Sequence, residues 1–140
     1  MNPGDIIASQ EATGLVTADA MAAAFNTKIM AKVIIVGGVA GGASAAARLR
    51  RLDEKAQITI FERSGFVSYA NCGLPYYLGG VIEDQTDLTI QTPDSLKQRF
   101  NIDVKTEHEV TKIDRDNKTV TVHDLRNDIV FTENYDKLLL

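Results

Sequence analysis

Three features of the chain have the residue types and spacing to do chemistry: the run Gly37-Gly38-Val39-Ala40-Gly41-Gly42, the carboxylate of Glu62 and the thiol of Cys72. Glycines placed between a strand and a helix let the backbone turn tightly and approach a pyrophosphate, whose charge rests on the free N–H groups of the helix start. The dinucleotide fingerprint asks for glycine at three places. Gly37 and Gly42 fill the first and third, Val39 stands at the second, and Gly38 and Gly41 keep the loop slender. Glu62 follows about 20 residues later, where a carboxylate accepts hydrogen bonds from ribose hydroxyls and repels a 2′-phosphate. The pair points to FAD or NAD rather than NADP and does not separate the first two. The competing meaning is a glycine turn and an exposed acid that bind nothing.

Cys72 sits in Phe66-Val67-Ser68-Tyr69-Ala70-Asn71-Cys72-Gly73-Leu74-Pro75-Tyr76-Tyr77, just ahead of a helix that Pro75 would initiate. A helix N-terminus favours thiolate, the nucleophilic form of the side chain. The plainer reading is a small buried hydrophobe chosen for packing. With one Cys in the chain, Cys-x-x-Cys chemistry is excluded within it. An oxidised Cys72 would be a mixed disulfide, a persulfide or a sulfenic acid.

The elements that must position these residues read as strand, glycine loop, helix, strand. Val33-Ile34-Ile35-Val36 is a β-branched run suited to a strand buried on both faces. Ala43 to Leu52 reads as a helix with Ala45, Leu49 and Leu52 on its core face, and Gln57 to Glu62 as the second strand. Two parallel strands joined by a helix begin a doubly wound fold. Thr92-Pro93-Asp94 is a helix start, with Thr92 as N-cap. From Ile102 onward, Ile102–Thr106, Glu109–Ile113, Thr119–Val122 and Ile129–Thr132 predict a small antiparallel meander, and Tyr135–Leu140 a buried strand. His108 and His123, without metal-ligand spacing around them, read as surface or turn residues, and no metal site is expected.

The chain has 140 residues, 44% hydrophobic and 24% charged, with a net charge of -4. These values suit one globular domain and exclude disordered and fibrous readings. No basic face is evident, so nucleic acid is not an expected partner. The apolar run Ala20–Phe25 is far short of the roughly 20 residues a spanning helix needs, and the lone Cys suits a reducing cytoplasm. Residues 1–30 read as an N-terminal extension of unknown role ahead of a nucleotide-binding region at 31–140, and the apolar end at Leu140 suggests the N-terminal piece of a longer protein.

The segments Val33–Ser44, Phe61-Glu62, Ser68 and Asn71–Tyr76 resemble the N-terminal FAD-binding part of the single-cysteine pyridine nucleotide-disulfide oxidoreductases. The likeness is greatest to coenzyme A-disulfide reductases and their persulfide-reductase relatives, with NADH oxidases and peroxidases further off. It runs from about Lys32 to Leu140 and is most specific at Ser68–Tyr76. The resemblance implies a Rossmann-like α/β domain with a small antiparallel meander, truncated here. FAD would be held by Gly37, Gly38, Val39, Ala40, Gly41, Gly42, Glu62 and Arg63, and NAD(P)H by a domain outside this chain. It implies Cys72 as nucleophile and redox centre, flanked by Ser68 and Asn71, and a homodimeric full-length protein. It also places Ser44, Arg48 and Arg51 against coenzyme A; independently, Ser44, Arg48, Arg51 and Lys55 recur at helical spacing as a cationic stripe, which without a phosphate-rich substrate would be a solvated basic face. Where some members carry a further basic residue, this chain has Phe100 beside Arg99. The implied activity is reduction of a disulfide or persulfide, such as coenzyme A disulfide. The alternatives are an NADH oxidase or peroxidase, a fragment or nucleotide-binding module without turnover, and a plain NAD-binding domain with a structural Cys72.

Overall fold

A computed structural model describes residues 30–140; the alanine-rich stretch at 18–24 and the rest of the expected extension lie outside the described residues, Met30 excepted. The chain runs β1 (Lys32–Val36), α1 (Ala40–Leu52), β2 (Gln57–Glu62), α2 (Leu74–Leu78), α3 (Pro93–Phe100), β3 (Asp103–Thr106), β4 (His108–Asp114), β5 (Thr119–Asp124), β6 (Ile129–Asn134) and β7 (Lys137–Leu139). One sheet has the order β3-β2-β1-β7 with every pairing parallel, and the other is the antiparallel set β4-β5-β6.

Side chains alternate across a strand, so the parallel sheet is apolar on both faces. Val33, Ile35, Ile58 and Ile60 meet Ala46, Leu96 and Ile102 on the helical side. Ile34 and Phe61 meet Val120 and Val122 of β5 on the other. The meander is therefore a cover for the second face of the sheet, and the ends of β1 and β2 are held rigidly between two cores. No helix among the described residues is long and apolar enough to cross a membrane.

Thr92 caps α3 as expected, in a reciprocal capping box with Ser95, and Pro93 opens the helix. Three expectations are corrected. The run Ile102–Thr106 is not part of the meander: β3 pairs parallel with β2, in register Ile60 with Val104. A parallel neighbour needs a crossover, and the segment carrying α3 supplies it; alternation reveals a strand but not its partner. The fully buried residues of α1 are Ala43, Ala46 and Arg50; of the expected face, Leu49 does pack against the core and Ala45 is half-buried, while Leu52 is 68% exposed. Small side chains let α1 lie close to the sheet, which turns the helix about one position from the expected face. The terminal strand is less buried than its sequence suggests: Leu138 packs on the meander side, whereas Leu139 and Leu140 are exposed at an edge.

Candidate functional site

The glycine loop meets its steric demands one residue at a time. Gly37 has φ +93, a conformation that a side chain disfavours, and its N–H donates to the Phe61 carbonyl at 2.8 Å. A Cβ on Gly42 would be driven into the Gly37 carbonyl, so the third glycine permits the helix to lie on the turn. Val39, at the middle position of the fingerprint, is the N-cap of α1 with φ -82, so its backbone does not require a glycine for a positive φ. The helix starts without a side-chain cap or an acidic residue in its first turn. Ala43 N–H makes the bond to the Val39 carbonyl, 3.0 Å, and Ala40 and Gly41 face solvent, with open space where a Gly41 Cβ would stand. Uncapped amides beside bare backbone fit a pyrophosphate.

Glu62 ends β2 and is 8% exposed. Its Oε2 accepts from the Gly38 N–H at 2.7 Å and its Oε1 from the Ser64 N–H at 2.8 Å. Two amide donors satisfy the buried charge and leave a lone pair on each oxygen for a ribose hydroxyl. Beside it lies a cleft of about 220 Å³ lined by Gly37, Phe61, Glu62, Arg63, His108 and Val110, among others. Arg63 is exposed and lies 3.6 Å from Glu109. His108 is not a surface residue: it is half-buried, stacked on Phe61 with ring centres 6.2 Å apart, and edge-on to Phe131. Its Nδ1 lies 2.8 Å from the Thr106 carbonyl, which only accepts, so that nitrogen carries the proton. His123 lies 2.7 Å from exposed Asp128.

Cys72 is exposed in the turn Asn71–Gly73, so it is not the packed hydrophobe of the plainer reading. Pro75 sits in the first turn of α2, as expected, although that helix has five residues. The turn is held by backbone. Ser68 adopts φ 52, donates its N–H to the Gly38 carbonyl at 2.8 Å and accepts from the Ile90 N–H at 2.9 Å. Ala70 N–H donates to the Leu88 carbonyl at 2.7 Å, and Tyr69 bridges Thr89. Gly73 is buried beneath Leu88, where a Cβ would come within 2.6 Å of that side chain. Ser68 is thereby brought to the glycine loop, while Asn71 stays exposed beside Cys72. The 88–90 segment that anchors the thiol turn was not singled out from the sequence; an irregular stretch gives no periodicity to find it by.

Ser44, Arg48 and Arg51 all face solvent on α1, and Lys55 is exposed in the turn beyond it. No hydrogen bond or ion pair among the described residues joins this stripe to the Cys72 turn. Arg50, between two stripe residues, does something different. It is 9% exposed and donates to the carbonyls of Phe100, Asp53, Glu54, Ala56 and Asn101. Phe100 packs against the helical-side core with Arg99 over its ring.

The chain is similar to known proteins over this same region. Residues 31–140 match the family model described as pyridine nucleotide-disulphide oxidoreductase. A coenzyme A disulfide reductase from Staphylococcus haemolyticus is 47% identical over 111 residues, 79% of this chain and 25% of that protein. The crystal structure of reduced Bacillus anthracis CoADR-RHD superposes with TM-score 0.76 at 48% identity, covering 77% of this chain and 19% of that one. A NAD-dependent persulfide reductase from A. fulgidus gives TM-score 0.72 at 42% identity, covering 76% and 20%. The chain thus spans about a quarter of the length of the curated relatives it matches. With its glycine loop, buried Glu62 and exposed Cys72 turn on a parallel sheet, the chain belongs to the pyridine nucleotide-disulphide oxidoreductase family.

Proposed function

We propose that this chain supplies the dinucleotide cradle and the reacting thiol of an FAD-dependent, NAD(P)H-using reductase of a small disulfide or persulfide, coenzyme A-linked as in the relatives' names. The observation that carries the reading is Gly38, whose two backbone groups touch the ribose-binding carboxylate on one side and the segment leading to Cys72 on the other. Gly37 to Gly42 hold the pyrophosphate on the start of α1, Glu62 holds the ribose, and Arg63 borders the adenosine cleft.

Bound FAD would supply the electron pair, drawn from NAD(P)H, that returns an oxidised sulfur to thiolate. The protein's own step is sulfur exchange. The Cys72 Sγ thiolate attacks one sulfur of the substrate disulfide; a new S–S bond to Cys72 forms as the substrate S–S bond breaks, and the departing thiolate takes a proton. A persulfide substrate leaves as thiol or sulfide by the same exchange. Exposure of Cys72 gives the incoming disulfide access. Asn71 and Ser68 flank and orient the sulfur, and Ser44, Arg48 and Arg51 offer a hydroxyl and two cations to phosphates. For the parent protein we place this activity in the cytoplasm, in a homodimer.

The test is to saturate the protein with FAD, remove the excess by gel filtration and record the visible spectrum. Retained flavin in a one-to-one ratio is expected. Loss of flavin on the column, with retention of NAD in a parallel run loaded with NAD and read in the ultraviolet, would overturn the FAD assignment and favour a plain NAD-binding domain.

A further inference from the structure

We infer that Gly38 is a positioning residue that makes the reactivity of Cys72 respond to occupancy of the dinucleotide loop. The inference rests on the proposed function and adds to it a coupling between the two halves of the site. The Gly38 N–H donates to Glu62 Oε2 at 2.7 Å, and the Gly38 carbonyl accepts from the Ser68 N–H at 2.8 Å. From Ser68 the connection continues through its carbonyl to the Ile90 N–H, through the Tyr69–Thr89 bridge and the Ala70–Leu88 bond, to Leu88 packed on buried Gly73, next to Cys72. Every link is a backbone hydrogen bond or a close apolar contact.

Two further observations show that this connection has little slack. A Cβ on Gly38 would stand 2.7 Å from Val67 Cγ2 and 3.2 Å from Ile60 Cγ2, so the loop and the residue preceding Ser68 are already in contact. Ser68 itself is held at φ 52, a left-handed backbone that a non-glycine residue keeps only when its neighbours impose it. A ligand that draws on the Glu62 carboxylate therefore pulls on the Gly38 peptide, and with it on Ser68 and the turn after it, which is coupling through a tightly linked backbone. Glu62, shared between Gly38 and the ribose, is where the ligand enters this network.

The test uses ADP, which fills the adenosine and pyrophosphate positions and carries no ring system that could touch the thiol. Cys72 is alkylated with iodoacetamide in the presence and absence of saturating ADP, with ADP and FAD binding measured separately. An ADP-dependent change in alkylation rate of about fivefold, the low end of site-to-site coupling, is expected, and Gly38→Ala should bring that ratio close to one. Gly65→Ala, an open position in the loop after β2, should leave it as it was. Because a Cβ on Gly38 crowds Val67 and threatens the fold of the loop, amide hydrogen exchange on the unaltered protein gives a second readout: ADP should slow exchange at Gly38, Ser68 and Ile90 more than at Gly65. Binding of ADP with no change in thiol rate or in Ser68 protection would overturn the coupling alone. Failure of both ADP and FAD to bind would overturn the proposed function, and the coupling with it.

Discussion

The carbonyl oxygen of Gly37 stands where a side chain on Gly42 would begin. The two atoms nearest that position, the Gly37 carbonyl oxygen and carbon, are backbone, which cannot swing aside as the end of a flexible side chain would, and Ile35 Cγ2 lies 3.1 Å away. Gly42→Ala should therefore lower stability by about 3 kcal/mol, the upper part of the usual overpacking range, and abolish dinucleotide binding. Gly65→Ala, with open space at its Cβ, should change stability by less than about 0.5 kcal/mol. Urea denaturation of both variants checks this; equal midpoints would mean that the helix start can shift away from the turn.

Cys72→Ser should abolish thiol titration and disulfide reduction while leaving FAD affinity unchanged, because the side chain is exposed and shapes no part of the glycine loop. Flavin titration of the variant is the check. A large loss of affinity would show that the thiol is part of the cofactor cradle rather than the reacting group.

The arginines of α1 divide into exposed Arg48 and Arg51, for which a substrate-binding role is proposed, and buried Arg50. In the parent protein, Arg48→Ala and Arg51→Ala should each raise KM for coenzyme A disulfide about tenfold, the worth of one charge-assisted contact, with kcat little changed. Steady-state kinetics decide it; an unaltered KM in the double variant would assign the stripe to a solvated helix face.

Arg50→Met should cost about 3 kcal/mol, since it strands carbonyls of the α1–β2 turn and of the end of α3 that now accept from one buried guanidinium. Arg51→Ala, on the exposed face, should stay within about 0.5 kcal/mol. Thermal unfolding of the two variants separates them.

The meander should be sensitive to acid. The side-chain amide of Asn127, with the Asn127 and Arg126 N–H groups, holds the Asp124 carboxyl below its usual range. The Asn117 N–H does the same for Asp114 in the preceding hairpin. Carboxylates with a lowered folded pKa stabilise fully above the ordinary value near 3.9 and lose that contribution as pH falls through the folded value. Melting temperature should thus be flat from neutral pH to about pH 5 and fall on further acidification. Asp124→Asn should reduce that slope; an unchanged slope would place the acid sensitivity elsewhere.

The order strand, glycine turn, helix, strand, acid was determined by the sequence itself, because each part is a local demand. Gly37 answers a backbone angle, Thr92 and Ser95 exchange hydrogen bonds within one turn, and Glu62 follows a strand whose length sets where its carboxylate stands. The thiol turn was legible for the same reason, through Cys72 and Pro75. What tertiary structure decided were choices among partners far apart in the chain. The pattern of Ile102–Thr106 suits either sheet, and the α3 crossover assigned it to β2. The residues of α1 offered several inward faces, and close approach to Ile35, Ile58 and Ile60 selected the alanines, burying Arg50 because distant carbonyls at 100 and 101 could satisfy it. His108 was drawn inward by Phe61 and Phe131, which lie on different sheets. The contact of Gly38 with Ser68, which joins the two halves of the site, leaves no periodic or compositional mark, since it is made by backbone groups that every residue carries.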